Sequence, residues 1–178
     1  LFLTDGEGTM TNSTVVDNVS PTSTAEVFVG NFGGPDATLV LVNSIVEDEG
    51  AGLSSACFVN APGAPIVSLG QNVFTDATCS PIGSDQVVAA AGLGPLADNG
   101  GPTLTHALLA GSPAVDAANN AVCPATYQGG VSRDAACDVG AYELGPCGQR
   151  WGVIYISRRT ASRRSTTASE RARSLGSL

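Results

Sequence analysis

Apolar residues along the first half of the chain fall in short alternating runs instead of at helical spacing. Thr9 to Val16, Ala25 to Val29, Thr38 to Val46, Ala56 to Val59 and Ile66 to Phe74 are each predicted to be strands. Val, Ile, Leu, Thr and Phe dominate them, and branched or aromatic side chains suit a pleated, half-buried surface. The segments between them are Asn31-Phe32-Gly33-Gly34-Pro35, Glu47 to Gly52 and Asn60 to Pro65, where Gly, Asn and Pro supply the dihedral angles of turns. A helical period competes only over Val87 to Leu93, and Gln86 to Gly92 fits a short helix or a strand equally.

The strands repeat. Asn12-Ser13-Thr14-Val15-Val16 returns as Asn43-Ser44-Ile45-Val46 and more loosely as Asn72-Val73-Phe74, at offsets of 31 and 29. Val27-Phe28-Val29 returns as Cys57-Phe58-Val59 at an offset of 30. Two different strands recurring in step predict a solenoid whose rung is about 30 residues, because each rung buries its apolar edge on the next. Asn12, Asn43 and Asn72 would then stack at one corner, each amide bonding the next. Asn12-Ser13-Thr14 and Asn18-Val19-Ser20 also fit the N-glycosylation pattern, but the repeat favours the ladder for Asn12.

Composition supports thin, stacked β layers. Apolar residues make up 43% of the 178, yet aromatics are only 5%, so any core is built of small branched side chains. This length suits one domain or the end of a larger one. No run approaches the roughly 20 apolar residues that span a bilayer. The chain opens at Leu1 without a charged and then apolar leader, as expected if an N-terminal part is missing.

Charge divides the chain in two. All eight bases are Arg, and Arg133 is the only one before Arg150. Leu1 to Gln149 carries a net −14, whereas Arg150 to Leu178 carries +6. A Lys-free acidic body is repelled by nucleic acid and by anionic membrane, which excludes both as partners of the body. The basic segment, rich in Ser, Thr and Ala, lacks the apolar surface to fold. A shifted reading frame in GC-rich DNA accounts for such a run, and a disordered basic tail is the other reading. Only Trp151 to Ile156 offers a further strand.

Three later blocks carry a family likeness: Leu93-Gly94-Pro95-Leu96-Ala97-Asp98-Asn99-Gly100-Gly101-Pro102-Thr103-Leu104-Thr105-His106, Gly111-Ser112-Pro113-Ala114-Val115-Asp116, and Cys137-Asp138-Val139-Gly140-Ala141-Tyr142-Glu143. In this order they resemble the end of the choice-of-anchor Q domain of bacterial surface proteins. The resemblance implies an all-β chain, the C-terminal fragment of a right-handed parallel β-helix, located outside a bacterial cell or on its surface. Its expected parts are rungs over 1–92, a C-terminal cap over 93–146 and the Arg-rich tail over 147–178. The same resemblance supports disulfides between Cys57 and Cys79 and between Cys123 and Cys137, leaving Cys147 over. It also implies that Asp116, Asp138 and Glu143 are buried carboxylates bonded to backbone amides, with Arg133 as their partner. Relatives tend to carry Asp-Gln-Arg-Gly where this chain has Tyr127 to Gly130, so their internal Asp–Arg pairing is absent here.

Candidate chemistry is sparse. His106, the only histidine, lies in an alternating segment with no nucleophile elbow beside it and is expected to make a structural hydrogen bond. Asp98 to Thr103 reads as a turn whose Asp bonds backbone amides, without the spacing of a calcium loop. Glu47-Asp48-Glu49 is the densest acidic cluster and is expected to be a solvated loop. No Cys-x-x-Cys or phosphate loop is present, so no catalytic residue, metal, nucleotide, haem or other cofactor is expected. The expected role is non-catalytic, structural or adhesive, with glycans or other cell-surface molecules as possible partners. The alternative is the end of a carbohydrate-active β-helix, such as a polysaccharide lyase or hydrolase, with its catalytic rungs upstream.

One outcome follows from composition alone. Deleting 150–178 should leave the thermal unfolding midpoint of the body unchanged, and a fall of several degrees on calorimetry would show that this segment docks.

Overall fold

The structure, a computed structural model, describes residues 1–18, 25–30, 37–48, 55–60 and 65–145. The Arg-rich segment, Cys147 and Glu49 lie outside the described residues.

Among the described residues the chain is all-β. The first strands are β1 (Phe2–Leu3), β2 (Glu7–Thr11) and β3 (Thr14–Val16), and the next three are β4 (Ala25–Val29), β5 (Thr38–Val42) and β6 (Ile45–Glu47). There follow β7 (Ser55–Val59), β8 (Ile66–Ser68) and β9 (Val73–Phe74), then β10 (Gln86–Val87), β11 (Leu93–Ala97) and β12 (Thr105–Leu108). Every third strand pairs in parallel. One sheet is β1-β4-β7, a second is β2-β5-β8 and a third is β3-β6-β9-β10, while β11 and β12 form an antiparallel pair. The expected offsets of 30 and 31 are the observed register, since Val27 pairs with Cys57, Phe28 with Phe58, and Thr14 with Ile45. Ile45 pairs with Val73, so the expected offset of 29 that put Asn72 over Asn43 is not observed.

The long strands expected over Thr9 to Val16, Thr38 to Val46 and Ile66 to Phe74 are each divided in two at a corner. Asn12 and Asn43 turn the first two corners at φ of 45° and 51°, a conformation Asn accepts more readily than most residues. The third corner holds one residue more, because Leu41 pairs with Ser68 but Ile45 with Val73. Gln71, at φ 55°, therefore takes the place equivalent to Asn43, and Asn72 falls in the column of Ser13 and Ser44. Two ladders result. Asn43 Nδ2 donates to Asn12 Oδ1 at 3.1 Å, while the Ser13 amide donates to Ser44 Oγ and the Ser44 amide to Asn72 Oδ1. Asn12 is buried, which suits the ladder and not a glycan acceptor.

Side chains from all three parallel sheets meet in one core: Val27, Val29, Cys57, Leu39, Leu41, Ile66, Val46 and Phe74. The outward faces differ. Phe2, Phe28 and Phe58 stack in a column outside the first sheet, with centroids 4.3 and 5.7 Å apart. The third sheet instead buries its outer face, where Ile45 and Val73 join a second cluster with Leu108, Ala114, Tyr127, Val139 and Tyr142.

Leu93 to Glu143 was expected to close the end of the stack, but most of its contacts are along the flank. Gly140 donates to the Asn43 carbonyl and Ala141 to Thr14 Oγ1, so this segment returns to β3 and the start of β6. The far end is closed instead by residues 75–85. Asp76 and Thr78 accept from the Ala56 and Cys57 amides on the edge of β7, and Asp85 accepts from Ser68 Oγ and the Asn72 amide. Edge amides satisfied in this way offer no template for further pairing. Of the ambiguous stretch Gln86 to Gly92 only Gln86–Val87 is strand and none is helix, and Pro95 sits in β11 where the register with β12 slips.

The flank lies close against the sheet at Gly140, at φ 93°, where a Cβ would stand 2.7 Å from Thr14 Oγ1 and 2.8 Å from Ile45 Cδ1. Gly140→Ala should cost about 1–3 kcal/mol in denaturant unfolding. Combined with Ile45→Ala it should cost less than the two separate effects together, since the smaller side chain frees the space. Strict additivity would contradict this contact.

Candidate functional site

A cleft of about 510 Å³ opens between the end of β3 and the β11–β12 hairpin. Its lining includes Val16, Asp17, Asn18, Leu96, Leu104, His106 and Gln128. Asp17 follows β3 directly and turns the chain at φ 59°, which leaves its carboxylate exposed and without a hydrogen-bond partner among the described residues. His106 is placed by β12, and its Nδ1 lies 2.9 Å from the Gly94 carbonyl. A carbonyl only accepts, so Nδ1 carries a proton. The expected structural hydrogen bond is present, and it also orients the ring.

Behind this cleft lies Glu47, expected on a solvated loop. It is instead the last residue of β6 and only 4% exposed, because the third sheet is covered on that side. Its Oε1 accepts from the Ala91 amide at 3.0 Å, and its Oε2 is buried with no partner. Burial raises its pKa first of all; the Ala91 amide opposes this, the charge of Asp17 adds to it and that of His106 offsets it. The sequence signal for Asp17 was absent, since a lone Asp after a strand carries no motif.

A second polar cluster is structural. Arg133 and Glu143 form an ion pair of 2.6 Å, both side chains 4% exposed. Arg133 further donates to the carbonyls of Asp138 and Gly140, which closes the last loop even though the Asp-Gln-Arg-Gly pattern is missing. Asp138 is buried and accepts from the Asp116 amide at 2.7 Å and the Leu144 amide at 2.6 Å. Asp116 differs from expectation: its carboxylate is exposed at φ 56°, and its backbone amide is the group that matters. Asp98 bonds the Gly100 amide in an exposed turn, as expected.

Cys57 is bridged to Cys79 and Cys123 to Cys137, with Cα separations of 5.0 and 6.7 Å. The second bridge abuts the corner ladder, because the Asn12 amide lies 3.7 Å from Cys123 Sγ and 3.5 Å from Cys137 Sγ. Among the described residues no three His, Cys, Asp or Glu side chains are grouped to hold a metal ion. No helix of the described residues is long and apolar enough to cross a membrane. No family model matches the chain, and no curated protein or solved structure is significantly similar to it.

Burial raises the pKa of Asp138 from 3.8 to about 6, against the two amides that lower it. Between these values the folded chain holds a proton that the unfolded chain has released. The contribution to stability is therefore full below about pH 4 and lost as pH rises through about 6, an effect on the order of 3 kcal/mol. Denaturant unfolding should show this decline between pH 4 and 7, and Asp138→Asn should remove most of it. An equal decline in the variant would assign it to other groups.

Proposed function

We propose that this chain forms rungs of a right-handed parallel β-helix belonging to an extracellular or cell-surface protein, with a non-catalytic structural or adhesive role. The observation that carries the reading is the strand order: every third strand joins one of three parallel sheets, and all three sheets share one apolar interior. A chain wound in this way presents long, regular faces with few constraints on what they display, which suits contact more than turnover. The two disulfides favour an oxidising compartment. The likeness of Leu93 to Glu143 to the choice-of-anchor Q domain agrees with a place at the bacterial surface.

An adhesive surface of this charge selects its partners. The acidic body disfavours uronates, phosphates and nucleic acid and leaves neutral or cationic glycans and proteins as the compatible classes. A polysaccharide lyase would need a base and a cation to hold an acidic sugar, and Arg133, the only described cation besides the Leu1 amine and a protonated His106, is buried on Glu143.

Incubated with polygalacturonate, alginate and neutral glycans, with and without calcium, the chain should release no product. Turnover that disappears on replacing His106 or Asp17 would overturn the non-catalytic reading. In denaturant without reductant, one of the five cysteines, Cys147, should react with an alkylating agent. Reaction of all five would remove the support for an oxidising compartment.

A further inference from the structure

The two disulfides stand in unlike surroundings. Cys57 and Cys79 are 2% and 0% exposed and belong to the apolar interior that the three parallel sheets share. A thiol reaches that bridge only when the interior opens. Cys137 is also buried, but Cys123 is half-buried, in a loop where Ala121, Val122, Pro124 and Ala125 are exposed. It is the one of the four bridged cysteines that is not buried. Beneath it lie the corner side chains: Asn12 Nδ2 is 3.5 Å from Cys137 Sγ, and Asn43 Nδ2 is 3.6 Å from Cys123 Sγ. The loop is tied to the same corner, since the Asn43 side chain accepts from the Asn119 amide at 2.8 Å and donates to the Asn119 carbonyl at 3.2 Å. Within the loop the Cys137 amide donates to Asn120 Oδ1, and its carbonyl accepts from the Ala118 amide.

We propose that Cys123 is a site of thiol–disulfide exchange, which takes up a low-molecular-weight thiol as a mixed disulfide and so unclasps the loop over the Asn12–Asn43 corner. The sulfur of the attacking thiolate bonds to Cys123 Sγ and the Cys123–Cys137 bond breaks. Its electron pair leaves on Cys137 Sγ, which then takes a proton from water. One disulfide is exchanged for another, so no separate oxidant or reductant is consumed. Burial blocks attack at Cys137, while Asn12 Nδ2 is placed to donate to the departing thiolate. Without its bridge, which spans a sequence separation of 14, the loop regains conformational freedom that its polar bonds to the corner must offset. Cys57–Cys79 and the interior stay as they are. The inference rests on burial and contacts and not on an adhesive role.

The test is incubation of the full chain, under native conditions, with a low excess of cysteamine, whose cationic amine suits the acidic body. Alkylation with N-ethylmaleimide and mass mapping then locate each sulfur. Cysteamine should appear on Cys123 and the maleimide on Cys137, at least about tenfold faster than the Cys57–Cys79 bridge is lost. Cys147→Ser removes a thiol of the chain itself as an attacker and should give the same result at Cys123 and Cys137. In hydrogen exchange the amides of Ala118, Asn119 and Cys137 should lose protection once cysteamine is bound, while that of Leu39, bonded to Pro65, keeps it. Cys123→Ser combined with Cys137→Ser should show the same loss with no thiol added. Cysteamine on Cys137 in place of Cys123, loss of both bridges at one rate, or loop amides as protected after exchange as before would each overturn the proposal.

Discussion

The architecture depends on the third sheet being buried on both faces. Along β3, β6 and β9 successive side chains go to opposite sides: Val15, Val46 and Phe74 enter the shared interior, while Thr14, Ile45 and Val73 meet the returning C-terminal segment. A shift of one residue in any of these strands would exchange the two sets and leave neither cluster filled. The corners prevent that shift. Asn12 and Asn43 hold left-handed backbone with their amides bonded to each other, and the Asn43 carbonyl oxygens hold the flank through Asn119 and Gly140. Full burial of Ile45 and Val73 is worth roughly 1.5–3 kcal/mol each, available only while the flank is in place.

The repeat was legible because parallel pairing of β4 with β7 sets like residues side by side, and Val27-Phe28-Val29 over Cys57-Phe58-Val59 is a register written directly in the residues. Corners were not legible as breaks. Asn43-Ser44 lies between Val42 and Ile45 and Asn12-Ser13 between two β-forming threonines, so both read as strand interior, since positive φ at Asn leaves no mark in hydropathy. The added residue before Asn72 is hidden for the same reason, as an Asn in either column looks alike. Glu47 was misplaced because its burial depends on Ala91 and the cleft residues, which are distant in sequence. The cleft itself combines Asp17 with His106, and no local motif links residues that far apart.

Buried carboxylates in this chain are held by different means. Glu143 has the Arg133 guanidinium and the Asp138 amide, and Glu26 has the amide and side chain of Asn18. Asp138 has two backbone amides and no cation on its carboxylate, so burial dominates its ionisation. Glu47 has one amide for two oxygens. Pairing contributes little net stability once desolvation is counted, but loss of one partner leaves the other stranded at high cost. The last loop is accordingly intolerant of change at Arg133, while the edge carboxylates of Asp76 and Asp85 accept from backbone amides and from the side chains of Thr78, Ser68 and Asn72.

The return of Gly140 and Ala141 to Thr14 also orders events in time. Strands β3 and β6 exist in the nascent chain long before the residues that cover them, so their outer apolar face must wait for nearly the whole body to emerge. Contacts of this sequence separation are slow to form, because the loop must close before it is rewarded. During that interval Ile45 and Val73 offer a sticky stripe beside unpaired strand edges, the combination from which misassembly starts. Until the flank arrives, β3 and β6 depend on whatever shields their outer face.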